Sequence, residues 1–224
     1  MPELTRDGDV FVLNLGSDEN RLHPDWLAGI NKALDEVEAT EVPRALITSA
    51  SGKFWSNGLD LDWLQANASE GGRYMAAVHE LFARFLSLPL PTVAAIQGHC
   101  FAAGAMIAVA HDFRVMRADR GWVCFPEVDI GIPFTAGMAA LIQGRLSKKT
   151  AHEAMTTGKR YGGAEALAAG IVDAVAEEDQ VLPAALDIAR PLAGKHAGTL
   201  GMIKAQMYAD VLRTLHDEAR KAAG

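Results

Sequence analysis

Three stretches of this 224-residue chain carry residues whose types and spacing could do chemistry. The longest covers residues 91–133. Within it, residues 93–96 form an apolar run of strand length that ends at Gly98. Gly98 and Gly104 then bracket small residues, and residues 102–110 have helix-forming composition. A strand, a tight turn and the first turn of a buried helix aim free backbone N–H groups at one point. Such a nest binds phosphate or stabilises an oxyanion. The same small residues equally suit a helix packed closely on a sheet. The second stretch runs Trp55, Ser56, Asn57, Gly58, Leu59, Asp60. Its glycine, set between a strand and a helix-compatible segment, can expose the Leu59 N–H. It also reads as an Asn-Gly turn with Asp60 capping a helix. In the third, Glu127 stands among Phe125, Pro126 and Val128. A glutamate held in an apolar pocket has a raised pKa and can shuttle protons, whereas one at a turn after proline faces water.

Other patterns point away from nucleophilic, metal and nucleotide chemistry. His111 and Asp112 are adjacent, so on an extended strand they face opposite ways and do not make a triad. No His, Cys and Asp cluster has zinc spacing. The central glycines lack the Lys-Ser/Thr of a P-loop and the Gly-x-Gly-x-x-Gly of a dinucleotide fold.

Elements able to position these residues can be read from periodicity. Residues 10–15 read as a strand, and Trp26, Leu27, Ile30, Leu34 and Val37 mark an amphipathic helix over 24–39, with Pro24 suited to its first position. Strands are expected at 45–48, 93–96, 112–116 and 171–175, with a short extended piece at 122–125. Helices are expected at 72–88, 134–142, 148–156, 164–169, 181–192 and 200–223. The order predicts α/β architecture with largely parallel strands and helices gathering at the C-terminus.

Half of the residues are hydrophobic and 22% are charged, as in an ordinary globular enzyme. The net charge of −7 argues against nucleic acid as the main partner. Cys100 and Cys124 read as reduced and buried, compatible with a cytoplasmic chain. No apolar leader, membrane-length segment or C-terminal peroxisomal tripeptide is seen, so a soluble cytoplasmic protein is expected.

Taken together, the stretches are far more specific than any one alone. Residues 19–22, 53–60, 91–112, 126–131 and 161–175 together resemble the crotonase, or enoyl-CoA hydratase/isomerase, superfamily over nearly the whole chain. The resemblance implies a spiral of ββα units over 1–194, with a C-terminal helical trimerisation or lid segment over 195–224. It implies assembly as a homotrimer or hexamer. It implies an acyl-CoA thioester as partner, with coenzyme A part of the substrate and no cofactor or metal. The backbone N–H groups of Leu59 and Ala103 would hold the thioester oxygen. Glu127 would be the catalytic acid/base. Arg21, Lys53, Asn57, Gly58, Asp60, Phe101, Gly104 and Met106 fall at substrate-binding positions, Arg21 and Lys53 near the CoA phosphates, with Phe101 and Met106 keeping the pocket dry. Hydratases of the family use two glutamates, and Met106 stands where the first would be. The wording is most like that of the Δ3,Δ2-enoyl-CoA isomerases, in which one glutamate moves a proton and the oxyanion hole holds a dienolate. Hydration, thioester hydrolysis and a non-catalytic acyl-CoA-binding subunit are the alternatives.

Overall fold

The computed structural model describes residues 2–41 and 43–223. Nine strands are present among them: β1 (Glu3–Asp7), β2 (Val10–Asn14), β3 (Ala45–Ser49), β4 (Phe54–Ser56), β5 (Thr92–Ile96), β6 (His99–Phe101), β7 (Phe113–Arg117), β8 (Val123–Cys124) and β9 (Ala174–Ala176). A six-stranded sheet has the order β1-β2-β3-β5-β7-β9, and a three-stranded sheet has the order β4-β6-β8. All pairings are parallel except β1 with β2.

The near-continuous apolar runs of β3 and β5 follow from burial on both faces of the large sheet. Alternate residues divide between two layers. Ala45, Ile47, Val93 and Ala95 pack toward Val181, Ala185 and Ala189 of α9 (Val181–Ala189). Leu46, Ala94 and Ile96 face the main core. That core is filled from α1 (Pro24–Ala39), α3 (Gly71–Ser87) and α4 (Ala103–Ala110). Every residue of α4 is buried, which is why it carries no polar face. The short α2 (Leu61–Ala66) precedes α3, and α5 (Glu127–Ile130) follows β8. Beyond it come α6 (Ala136–Arg145), α7 (Lys148–Thr157) and α8 (Gly163–Ala168). The C-terminal part supplies α10 (Ala197–Met207) and α11 (Ala209–Ala223), and α11 packs on α3 and α6 of its own chain.

Several elements depart from periodicity. β1 is mostly exposed and charged, and it exists by antiparallel pairing with β2 rather than by apolar alternation. The small sheet has strands of three, three and two residues, too short to show a period. The strand expected over 171–175 is displaced to β9, because Ile171 and Val172 are core residues following the αL Gly170. The helix expected over 200–223 is two helices, divided at Tyr208, whose ring lies 5.2 Å from the Arg145 guanidinium. Cys100 and Cys124 are free and buried. Among the described residues, no helix is long and apolar enough to cross a membrane.

Candidate active site

The two glycine turns meet because side chains were left out where they touch. A Cβ at Gly58 (φ 82°) would lie 3.0 Å from the Ala102 Cβ and 3.1 Å from the Ala103 nitrogen. One at Gly104 would lie 2.7 Å from Ser56 Oγ and its carbonyl oxygen. The missing side chains of Gly58 and Gly104 therefore let the turns come together. Ala102 is held at φ 51°, ψ −125° as the residue before α4. A non-glycine residue in that region costs on the order of 1–3 kcal/mol, the kind of strain found at functional sites. Its own N–H is anchored to the Cys124 carbonyl at 3.0 Å. The strained turn leaves the Ala103 N–H at the start of α4 without an acceptor among the described residues, and the Leu59 N–H has none either.

Asn20 braces the first turn. Its side-chain amide donates to the Phe54 and Trp55 carbonyls at 3.2 Å each, while its own carbonyl accepts from Ser56 Oγ at 2.8 Å. The Leu22 N–H donates to the Gly58 carbonyl at 2.9 Å. Asp60 caps α2 by accepting from the Trp63 N–H at 3.1 Å, and its N–H donates to the Tyr74 hydroxyl at 3.0 Å. The capping role of Asp60 is thus met in the fold.

Leu59, Ala103 and Glu127 line one cavity of about 330 Å3, together with Asn57 and Phe101. Glu127 opens α5 directly after Pro126 and is only 6% exposed. Its Oε2 is buried with no hydrogen-bond partner among the described residues. Burial disfavours the charged form and pushes its pKa up to about 7. The rest of the wall is apolar, from Leu61, Leu64, Met75, Ile130, Ile132 and Met138. Negative charge developing in such a cavity would meet two unused N–H donors and a carboxyl near the midpoint of its titration.

Six residues that sequence reading assigned to substrate binding, Arg21, Lys53, Gly58, Asp60, Gly104 and Met106, do not line this cavity. Arg21 is engaged by Glu19 at 2.5 Å and Asp62 at 2.6 Å. Lys53 lies in a separate pocket with Gln97, Arg117 and Arg120, its ammonium 5.1 Å from the Phe54 ring centroid. Asp60 serves its helix. Met106 is fully buried in the core. Sequence reading missed the bracing by Asn20 and Ser56, and also Thr135, a cavity residue whose Oγ1 lies 2.8 Å from Nε2 of the buried His79. Asn20 falls in the 19–22 stretch of the family resemblance, but its bracing contacts and its positive φ (49°) show only in the fold. Among the described residues, no group of three or more His, Cys, Asp or Glu side chains is gathered to hold a metal ion.

Comparisons with known proteins give the family and the fold. The family model described as enoyl-CoA hydratase/isomerase matches residues 8–223. The chain is 36% identical to enoyl-CoA delta isomerase 3 of Arabidopsis thaliana, over 97% of this chain and 93% of the relative. It is also 36% identical to the peroxisomal enoyl-CoA delta isomerase 2 of that plant, with the same coverage. Among solved structures, the apo enoyl-CoA isomerase of Mycobacterium tuberculosis superposes with a TM-score of 0.90 at 28% identity, covering 99% of this chain and 97% of that one.

Proposed function

Because the chain belongs to the enoyl-CoA hydratase/isomerase family, we propose that it moves the double bond of a 3-enoyl-CoA to the 2-position, with Glu127 as the one proton carrier. The Glu127 carboxylate removes a proton from C2, and the electron pair of that C–H bond passes into a dienolate. The thioester oxygen of the dienolate is held by the Leu59 and Ala103 N–H groups. Protonated Glu127 returns the proton to C4, which leaves the conjugated 2-enoyl thioester. The donors stabilise the dienolate more than the ground state and so lower the barrier. One proton leaves and one returns, so the reaction is redox-neutral and enlists no cofactor; coenzyme A is part of the substrate.

The observation that carries this reading is the unpartnered Glu127 Oε2, buried in the same cavity as two N–H groups that lack acceptors. A carboxyl with a pKa of about 7 both takes and returns a proton at neutral pH. Met106, a thioether at the position of the first of the hydratases' two glutamates, supports proton transfer over addition of water. Assembly as a homotrimer or hexamer in the cytoplasm belongs to the same reading. The exposed apolar side chains of Met202, Ile203 and Met207 on α10 support the assembly, and sedimentation velocity measures it.

The test is conversion of 3-hexenoyl-CoA to the conjugated thioester by the wild type and Glu127→Gln, with hydration of 2-hexenoyl-CoA as the second assay. Turnover should fall by about 100- to 10,000-fold in the variant. Because the base must be ionised, kcat/KM in the wild type should drop about tenfold per pH unit below about 7 and level off above it. Hydration without isomerisation, or a pH profile flat through this range, would overturn the reading.

A further inference from the structure

Little within its own helix holds Glu127 in place. The helix α5 is a single turn of four residues with no side-chain cap, Glu127 is its one buried residue, and Val128 and Ile130 stand exposed. A helix that short has no stability of its own. Its support comes from the turn over 158–161 that follows α7. There Val123 and Tyr161 exchange both backbone N–H···O bonds, each at 2.9 Å. The Cys124 thiol donates to the Gly158 carbonyl at 3.1 Å. The Arg160 guanidinium lies 5.9 Å from the ring centroid of Phe101, a residue of the cavity wall. One turn thus holds both the strand that leads into Glu127 and a wall residue of the same cavity.

The same turn meets α5 through Asp129. Gly158 closes α7 at φ 61°, and the Asp129 carboxylate occupies the space its side chain would need. A Cβ there would fall 2.8 Å from Asp129 Cγ and closer still to one of the oxygens. Glycine serves this position twice, by its backbone angle and by its missing side chain. Residues two apart on a helix point about 200° apart. With Asp129 turned outward against Gly158, Glu127 is turned inward, where the cavity lies. The raised pKa of Glu127 comes from its burial, opposed only by its own N–H, and the Asp129 charge has no part in it. Asp129 bears on Glu127 by placement, not by charge.

We infer that Asp129, seated on Gly158, is a positioning residue that fixes the rotation of α5 and so aims Glu127 into the cavity. For its kinetic consequence this inference rests on the isomerase reading above, to which it adds a pair of residues outside the cavity. A shuttle that serves both C2 and C4 with one carboxyl tolerates little displacement, and about 1 Å costs on the order of 100-fold. A methyl group on residue 158 would drive Asp129 outward, turn Glu127 with it and let water reach the carboxyl. Loss of the Asp129 carboxylate would remove the seat and leave the short helix free to rotate.

The experiment compares kcat and KM for 3-hexenoyl-CoA in the wild type, Gly158→Ala, Asp129→Ala, the double variant and Gly170→Ala. Carbon NMR follows the Glu127 carboxyl through its titration in each. Gly170 is another left-handed glycine (φ 69°) with open space where a Cβ would go, so its alanine variant carries the backbone strain without the collision. Gly158→Ala should lower kcat about 100-fold with KM little changed, and the Glu127 midpoint should fall from about 7 by about one pH unit or more toward 4.5. Asp129→Ala should cost about tenfold in kcat. In the double variant the new methyl group takes the room of the lost carboxylate, and kcat should recover about tenfold over Gly158→Ala. Gly170→Ala should melt lower yet keep the wild-type kcat and midpoint. Wild-type kcat and midpoint in Gly158→Ala, or a loss that Asp129→Ala does not relieve, would overturn the inference. If Gly158→Ala fails to fold, Asp129→Ala decides, because its site is exposed: an unchanged kcat and midpoint there would also overturn it. Midpoints that move as expected in a protein with no isomerisation would uphold the positioning role and overturn the isomerase reading.

Discussion

Glu127 and Asp112 are carboxylates beside different cavities, and their surroundings give them opposite fates. Glu127 borders the cavity of about 330 Å3 with one oxygen unpartnered. Asp112 borders a cavity of about 400 Å3 formed with Phe113, Leu200 and Ile203. Its Oδ2 accepts from the Thr92 N–H at 2.9 Å, the Thr92 hydroxyl at 3.1 Å and the buried Lys204 ammonium at 2.7 Å. Lys204 also donates to the Leu90 carbonyl at 2.8 Å, so the pair ties α10 to the start of β5. The difference is donor count. A carboxylate oxygen that already accepts three donors has structural work. A carboxylate buried with an oxygen unpartnered is less stable as an ion, which suits it to take up a proton.

The strongest way to break this comparison is to neutralise both acids. Glu127→Gln should abolish nearly all turnover while leaving the fold intact, whereas Asp112→Ala should leave kcat close to wild type. The latter should instead destabilise the protein by about 3 kcal/mol, because Lys204 is left buried without its counter-ion. Urea denaturation with parallel kinetics separates the two. If Asp112→Ala lost turnover without losing stability, donor count would not be the deciding variable.

A smaller effect is expected from separating the two turns. Gly58→Ala places a methyl group against Ala102 and Phe101 and requires a side chain at φ 82°. Misplacement of the Leu59 or Ala103 N–H by about 1 Å should lower kcat about 100-fold with little change in KM. A fall in KM-determined binding alone would assign these N–H groups to ground-state binding.

The smallest effect is on stability at Glu127 itself. Its folded pKa of about 7 lies above the ordinary value of 4.5, so protonation favours the folded state. That contribution is complete below about pH 4.5 and disappears as pH rises through 7. Glu127→Gln, neutral at every pH, should therefore gain about 1–3 kcal/mol on the wild type at pH 8 and no more than a few tenths at pH 4.5. Thermal melting at the two pH values gives the difference. An identical difference at both would mean that Glu127 is hydrated in solution.

His111 makes a related point about what burial does. It is fully buried and stacks on Phe85 at 4.6 Å between centroids. Its Nδ1 faces the Ile107 carbonyl at 2.8 Å, so that nitrogen carries the proton and Nε2 accepts from the Thr48 hydroxyl at 2.8 Å. Burial holds its pKa down to about 4, which makes it neutral and structural throughout the working range. Adjacency of His111 and Asp112 in sequence thus marks two separate structural contacts.

Much of the framework was legible in the chain. The apolar runs of β3 and β5, the periodicity of α1 and the Gly-Ala composition around α4 fixed the α/β order, because each repeats over enough residues to reveal its environment. The motifs containing Gly58, Gly104 and Glu127 marked the turns and the acid, since few residue types tolerate those positions. Tertiary structure alone decided the rest. The strands of the small sheet are too short to show a period, and they exist because β4, β6 and β8 pair with one another. Arg21 and Lys53 lie outside the cavity, Arg21 paired with Glu19 and Asp62 and Lys53 in a separate pocket, and their own identities encode neither set of neighbours. Above all, Glu127 and Asp112 are the same kind of group in the sequence. Which one is left unpartnered depends on donors such as Lys204, 92 residues from Asp112 along the chain, and only the folded chain brings them together.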